Sequence, residues 1–344
     1  MRGLNPAYLD RLEPGQREWI LTKTGKMFFD NFIVEKGYHL YVVGNTGSGK
    51  TQKGYWFVNW LKYTETQIWI STGKNDEILP LLTLGLPVRI IIPNGCDVRF
   101  EERDPVTKEY RPIADHPEIV HVPDPGSSWW AVKPGCINIF EFRNSFWSKD
   151  KLSDWMGKLF ESLAIWTRLH RMPHIFPFTL YVDEAQWVIA GSRISTDKRR
   201  AKNAEIVTEN ALEIRGAGGR LAFFAQSYKN LVPASRENLL CTCLCRGAVV
   251  DSYANPQLSR HCYGKVGRLP SSYKPNEGKF VYADGRSVPW FNPWAFPLYP
   301  RLESDRGWIR SVRVLYTGFF DLSKQETDTL LSCVGAAGPA GTSI

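Results

Sequence analysis

Hydrophobic positions are distributed along this chain in two ways, and the alternation between them outlines the fold. Short, mainly apolar runs recur at Tyr38–Val43, Gln67–Thr72, Val88–Ile92, Cys136–Phe140, Phe178–Val182, Leu221–Ala225, Leu239–Val250 and Gly278–Tyr282. Runs of this length with little polar alternation predict strands buried on both faces, as in a parallel sheet. Between several of them lie segments of helical character. One helix is predicted from Lys50 to about Tyr63 and a short one over Asp76–Leu84. From Lys151 to about Arg171, Leu152, Trp155, Met156, Leu159, Leu163 and Trp166 fall on one helical face, with Ser148 or Asp150 as cap and Pro173 as stop. A further helix, capped by Ser195 or Thr196, runs to Ile214. Strands alternating with helices predict an α/β fold with a mainly parallel central sheet flanked by helices.

The pattern breaks in four places. Residues 1–37 are polar and interrupted by Pro6, Pro14 and Gly15, and read as an N-terminal arm that touches a neighbouring subunit. Residues 93–134 carry seven prolines, which predicts an insertion of loops and short strands, Ile119–Val122 among them. Residues 251–275 read as loop, and their His261 and Cys262 lack the partner spacing of a metal site. Residues 284–344 form a Pro/Trp-rich C-terminal tail with a Gly/Ala/Pro-rich end. One domain is left, residues 38–283.

Composition narrows the picture only a little. A chain of 344 residues with 43% hydrophobic and 23% charged residues buries a substantial core. The formal charge of +8 suits a polyanionic partner. Seven cysteines give no small disulfide framework, and Cys241, Cys243 and Cys245 at alternate positions read as buried thiols in a reducing, intracellular compartment. The N-terminus lacks the apolar run of a signal peptide, and no apolar segment is long enough to span a bilayer.

The chemistry concentrates after the first strand. Gly44-Asn45-Thr46-Gly47-Ser48-Gly49-Lys50-Thr51 has the form G-x-x-x-x-G-K-[ST], between a buried strand and a helix that begins with Gln52 close behind. Glycines let successive N–H groups converge on phosphate oxygens, and the helix N-terminus adds partial positive charge. Lys50 is placed to bridge the β- and γ-phosphates of ATP, and the Thr51 hydroxyl to hold one Mg²⁺ position. Phe178–Val182 runs into Asp183 and Glu184, a second carboxylate-bearing strand end. Asp183 is the candidate for binding Mg²⁺ through water, and Glu184 the candidate base for the attacking water. The strand Leu221–Ala225 ends in Gln226, a candidate contact for the γ-phosphate or the water. Arg193, Lys198, Arg199, Arg200 and Lys202 form a basic run between these strands, a candidate DNA contact.

These motifs resemble those of the FtsK–HerA superfamily of RecA-like P-loop motors. The resemblance is carried by residues 44–51 and 179–184, by Arg215-Gly216-Ala217-Gly218-Gly219-Arg220 leading to Gln226, and by Asn276-Glu277-Gly278 before the last strand. The last of these has Gly and Glu in reversed order relative to the family. Without a second ATPase domain or membrane anchor in view, the chain looks most like the genome-packaging ATPases of membrane-containing viruses. The resemblance implies ATP hydrolysis with Mg²⁺, double-stranded DNA as partner, a homo-oligomeric ring (a hexamer in the family), and contact with a capsid vertex or membrane protein. It implies a place in the host cytoplasm or the virion. It also implies that Arg215 or Arg220 stabilises transition-state charge, across a subunit boundary in some members. Zonula occludens toxin-like, filamentous-phage assembly ATPases share several of these motifs and are the second family the chain resembles.

Overall fold

A computed structural model of the chain describes residues 9–34, 38–71, 75–146, 148–190, 198–231, 233–264, 266–290 and 296–320. Its strands in chain order are β1 (Leu40–Val43), β2 (Thr66–Ile70), β3 (Val88–Pro93), β4 (Asp97–Arg103), β5 (Tyr110–Pro112), β6 (Glu118–Val122), β7 (Ile137–Phe140), β8 (Phe178–Val182), β9 (Gly219–Ala225), β10 (Cys241–Cys245), β11 (Gly278–Tyr282), β12 (Ser287–Trp290) and β13 (Val312–Thr317). The longer helices are α1 (Pro14–Leu21), α2 (Lys23–Phe28), α3 (Lys50–Leu61), α4 (Lys149–Arg168), α5 (Lys198–Gly216), α6 (Pro256–Tyr263) and α7 (Glu303–Ser311).

Ten strands form one sheet in the order β12-β11-β10-β1-β9-β8-β2-β7-β3-β6. Every pair from β10 across to β6 is parallel. Only β11 and β12 run antiparallel, as an edge hairpin. The inner strands β1, β2, β7, β8, β9 and β10 are buried at every position, as their near-continuous apolar sequences require. All three cysteines of β10 are among these buried residues. This is an α/β architecture with a mostly parallel central sheet and helices around it. In register, Val43 lies beside Ala225 and Leu244, and Val182 beside Phe223. Gly44, Asp183 and Gln226 follow these strands and therefore emerge at one edge of the sheet.

Helices α4 and α5 pack against each other, with the Asn203 amide donating to the Ser153 and Val188 carbonyls at 3.0 and 3.2 Å. The Ser148 hydroxyl caps α4 by accepting from the Asp150 N–H. Ser195 and Thr196, expected to cap α5, lie outside the described residues.

Four expectations about these segments differ. Residues 9–34 are not an arm: Trp19, Phe28 and Phe32 are buried, and Trp19 and Phe28 both meet Trp60 edge-on. Pro14 opens α1, where its missing N–H costs nothing, so it starts a helix instead of breaking one. The insertion is split: β6 extends the central sheet, while β4 and β5 join β13 in a separate three-stranded antiparallel sheet. The C-terminal segment is woven in through β12, β13 and the buried Phe296, which stacks on Trp56 at 4.1 Å. Residues 251–275, expected to be loop, contain α6, which Asn255 caps.

Candidate nucleotide site

The phosphate loop is held on both flanks by the strands beside β1. The Gly44 N–H donates to the Ala225 carbonyl at 3.4 Å, and the Asn45 N–H to the Arg246 carbonyl at 3.1 Å. Gly44 passes so close to β10 that an added Cβ would lie 2.6 Å from Cys245 Cβ. Gly49 caps α3 in the left-handed region, at φ +83°. A Cβ there would meet Asn276 Oδ1 at 2.0 Å. Asn276 is docked by its own N–H on the Ser48 carbonyl at 3.2 Å, and by its carbonyl, which accepts from Lys53 Nζ at 3.0 Å. Lys53 is 1% exposed, so this second lysine is committed to the loop's support.

Lys50 is 7% exposed and its ammonium folds across the loop, donating to the Gly44 and Asn45 carbonyls at 3.0 and 3.2 Å. Thr46 and Gly47 are exposed at the loop tip, while the buried Ser48 Oγ has no hydrogen-bond partner. An ammonium bonded only to carbonyls, an orphaned hydroxyl and the N-terminus of a 12-residue helix together fit a polyphosphate.

Thr51 Oγ1 donates to Asp183 Oδ2 at 2.8 Å, joining the loop's last residue to the end of β8. These two oxygens are the donor set available to Mg²⁺. Glu184 follows with φ +46°, ψ +47°, a left-handed conformation that costs a non-glycine residue on the order of 1 kcal/mol. Its N–H donates to Asp183 Oδ1 at 2.9 Å. The Gln226 amide lies 3.4 and 3.5 Å from the two Glu184 carboxylate oxygens, and the Gln186 amide donates to one of them. Glu184 therefore points toward the strand end that carries Gln226. A carboxylate in this place can accept a proton from a water held by the Gln226 amide.

The expected site residues thus separate into groups. Gly44 to Thr51, Asp183, Glu184 and Gln226 lie together. Gln52 does not offer its side chain to a nucleotide: the amide brackets the Tyr299 backbone, donating to its carbonyl at 2.7 Å and accepting from its N–H at 2.8 Å. The expectation for Arg220 is corrected outright. It is fully buried, donates to Glu65 at 2.8 Å and to the Phe32 carbonyl at 2.7 Å, and lies over the Phe32 ring. A guanidinium so enclosed reaches no nucleotide, its own or a neighbour's. Arg215 is half-buried at the end of α5, which leads into the start of β9. That start lies about 20 Å from Gln226 along the strand, too far to serve the same chain's phosphate loop.

In the basic run, Lys198 and Lys202 are exposed, Arg199 pairs with Asp154 at 2.8 Å and Asp150 at 3.3 Å, and Arg200 lies over the Trp187 ring at 5.3 Å. Arg193 lies outside the described residues. The sequence reading did not place Lys53, Gln186 and Trp187 in this neighbourhood, and it singled out Asn276 as part of a motif without its contact to the loop. Gln186, two residues beyond Glu184, had a local signal.

No protein-family profile and no curated protein matches the sequence. Solved structures similar in outline include the following three. VirB4 of Thermoanaerobacter pseudethanolicus is similar over 75% of this chain and 90% of its own, at 14% identity and a TM-score of 0.48. The genome packaging NTPase B204 from Sulfolobus turreted icosahedral virus 2, in complex with sulfate, covers 74% of this chain and 95% of its own, at 12% identity and 0.41. ATPases 2 and 3 of EssC from Geobacillus thermodenitrificans cover 88% of this chain and 46% of that one, at 10% and 0.39. The functional reading rests on the geometry of the site itself.

Proposed function

We propose that this chain is an Mg²⁺-dependent ATPase that moves double-stranded DNA, in the manner of a viral genome-packaging motor. The observation that supports it is the convergence of Lys50, Thr51, Asp183, Glu184 and Gln226 at one sheet edge. Magnesium, when bound, neutralises charge on the β- and γ-phosphates. The chain's own residues do the rest. Lys50 exchanges its two carbonyl partners for phosphate oxygens, Thr51 and Asp183 present oxygen ligands, and Glu184 takes the proton of the attacking water while Gln226 orients it. The strained Glu184 backbone supports an active role, since strain of this kind persists where geometry is functionally fixed. DNA as the cargo is supported by the motif resemblance and by the basic start of α5, at the same sheet edge as the site. Arg215, on the far edge, is the arginine available to a neighbouring subunit in a ring.

ATP turnover with and without duplex DNA, for the wild type and Lys50→Ala, tests both parts. Turnover that is lost in Lys50→Ala and rises with DNA supports the whole proposal. Turnover indifferent to DNA removes the cargo and leaves the ATPase. Equal turnover in both proteins removes the phosphate-loop assignment itself. Among the described residues no helix is long and apolar enough to cross a membrane, and no observation favours the export reading over this one.

A further inference from the structure

Trp187 ends the short turn Ala185–Trp187 that follows Glu184, and three cations from three different segments gather on its ring. Lys149 Nζ lies 4.7 Å from the ring centroid, Arg143 Cζ 4.8 Å and Arg200 Cζ 5.3 Å. Arg143 follows β7, Lys149 opens α4 and Arg200 lies in the first turn of α5, so all three stand at the C-terminal edge of the sheet. Arg143, Trp187 and Asp183 line one small cleft. Like charges that share one ring repel one another. A cation–π contact offsets only about 0.5–1 kcal/mol at a partly exposed site. The carboxylates of Asp150 and Asp154 pair with Arg199, and that of Asp183 lines the same cleft as Arg143. The arrangement favours an incoming anion, and a phosphate offers arginine a charge-assisted bond stronger than the ring does.

We propose that Arg143 and Lys149 on the Trp187 ring form a receptor for the DNA phosphodiester backbone, and that its occupancy is relayed to Glu184. This rests on the DNA-motor reading above and identifies where that partner is sensed. The relay is short. The Trp187 N–H donates to the Glu184 carbonyl at 2.8 Å, and Gln186, between them, holds the Glu184 carboxylate. Phosphates that draw the cations off the indole let the turn shift, and the Gln186 restraint on Glu184 shifts with it. Trp187 is thus a positioning residue, acting through Glu184.

The test compares wild type with Arg143→Ala/Lys149→Ala, Trp187→Ala and the ring-preserving Trp187→Phe. The readouts are duplex-DNA affinity across salt by fluorescence anisotropy and the ratio of DNA-stimulated to basal ATP turnover. Thermal melting checks that each variant is folded. The double variant should lower the slope of log K against log salt by about 2, at roughly 0.9 per phosphate contact, and reduce the stimulation ratio several-fold. Trp187→Ala should keep most of the salt slope and lose most of the stimulation, with Trp187→Phe restoring much of it. A folded double variant with wild-type slope and ratio overturns the receptor. Unchanged stimulation in Trp187→Ala overturns the relay. A wild type that neither binds DNA nor responds to it overturns the underlying motor reading, a result distinct from either.

Discussion

Replacing Arg220 separates a structural arginine from a catalytic one. In the folded protein its guanidinium and the Glu65 carboxylate are 0% and 2% exposed, and the Thr179 hydroxyl donates to the same carboxylate. Arg220→Ala leaves Glu65 charged, buried and without its cation, and removes the donor to the Phe32 carbonyl. Breaking a buried pair by deleting one partner costs about 3–5 kcal/mol. Unfolding entropy of about 2.1 cal/mol/K per residue gives roughly 0.7 kcal/mol/K for 344 residues. The expected fall in melting temperature is therefore about 4–7 °C. Differential scanning calorimetry reads that shift, and ATP turnover per folded molecule, measured well below the melting point, should stay near the wild-type value. Arg220→Met/Glu65→Leu, which removes both charges and keeps apolar volume, should recover most of the lost stability. An Arg220→Ala protein with unchanged melting temperature and abolished turnover would refute the structural role.

Glu184→Gln keeps the hydrogen-bonding shape but not the base, so it should bind ATP and hydrolyse it about 10²–10⁴-fold more slowly, read by single-turnover assay; an unchanged rate places the base elsewhere. Gly49→Ala meets both the left-handed backbone and Asn276 Oδ1 at 2.0 Å, so it should weaken nucleotide affinity at least tenfold by calorimetric titration, whereas Gly216→Ala, with open space around its Cβ, should not. His39 is buried, which pulls its pKa down to about 4 and keeps it neutral, with Nδ1 accepting from the Leu221 N–H and Nε2 facing the Ala211 carbonyl. Its folded pKa lies below the unfolded value near 6.5, so its contribution is full above pH 6.5 and is lost toward pH 4, at up to about 1.4 kcal/mol per pH unit. Denaturant melts across that window should show a shallower pH slope for His39→Gln; an identical slope assigns the loss to other groups.

What could be read from the sequence was set by how far apart in the chain the interacting residues lie. The phosphate loop is contiguous, because its backbone must curl around one ligand, and Asp183 and Glu184 follow a recognisable strand. Asn276 supports Gly49 from more than two hundred residues away, and the Asn-Glu-Gly motif that marks its segment does not say which part of the chain it docks on. β13 pairs with β4 across a similar distance, Val314 beside Phe100, so neither the insertion nor the C-terminal segment announced its partner. Residues 9–34 were misread because Pro14 and Gly15 look like breakers, while the aromatic residues at 19, 28 and 32 are buried against α3, a contact that no local pattern announces.

The reading of Arg220 failed for a reason that a parallel sheet makes general. Loops at the C-terminal ends of parallel strands converge on the ligand, whereas groups at the N-terminal ends meet only the opposite edge. β9 carries one polar residue of interest on each side of its apolar stretch. Gln226 follows the stretch and reaches Glu184, while Arg220 precedes it and meets Glu65, which stands just before β2. Both are polar groups beside a buried strand, and composition does not tell them apart. Chain direction does, since a residue before the apolar run of a parallel strand stands at the edge opposite the nucleotide. Arg215 falls under the same rule. Any role it has in hydrolysis must come through a second copy of the chain that brings its own nucleotide edge to this one's far edge. A dilution series that leaves turnover per molecule constant well below micromolar concentration would exclude that role.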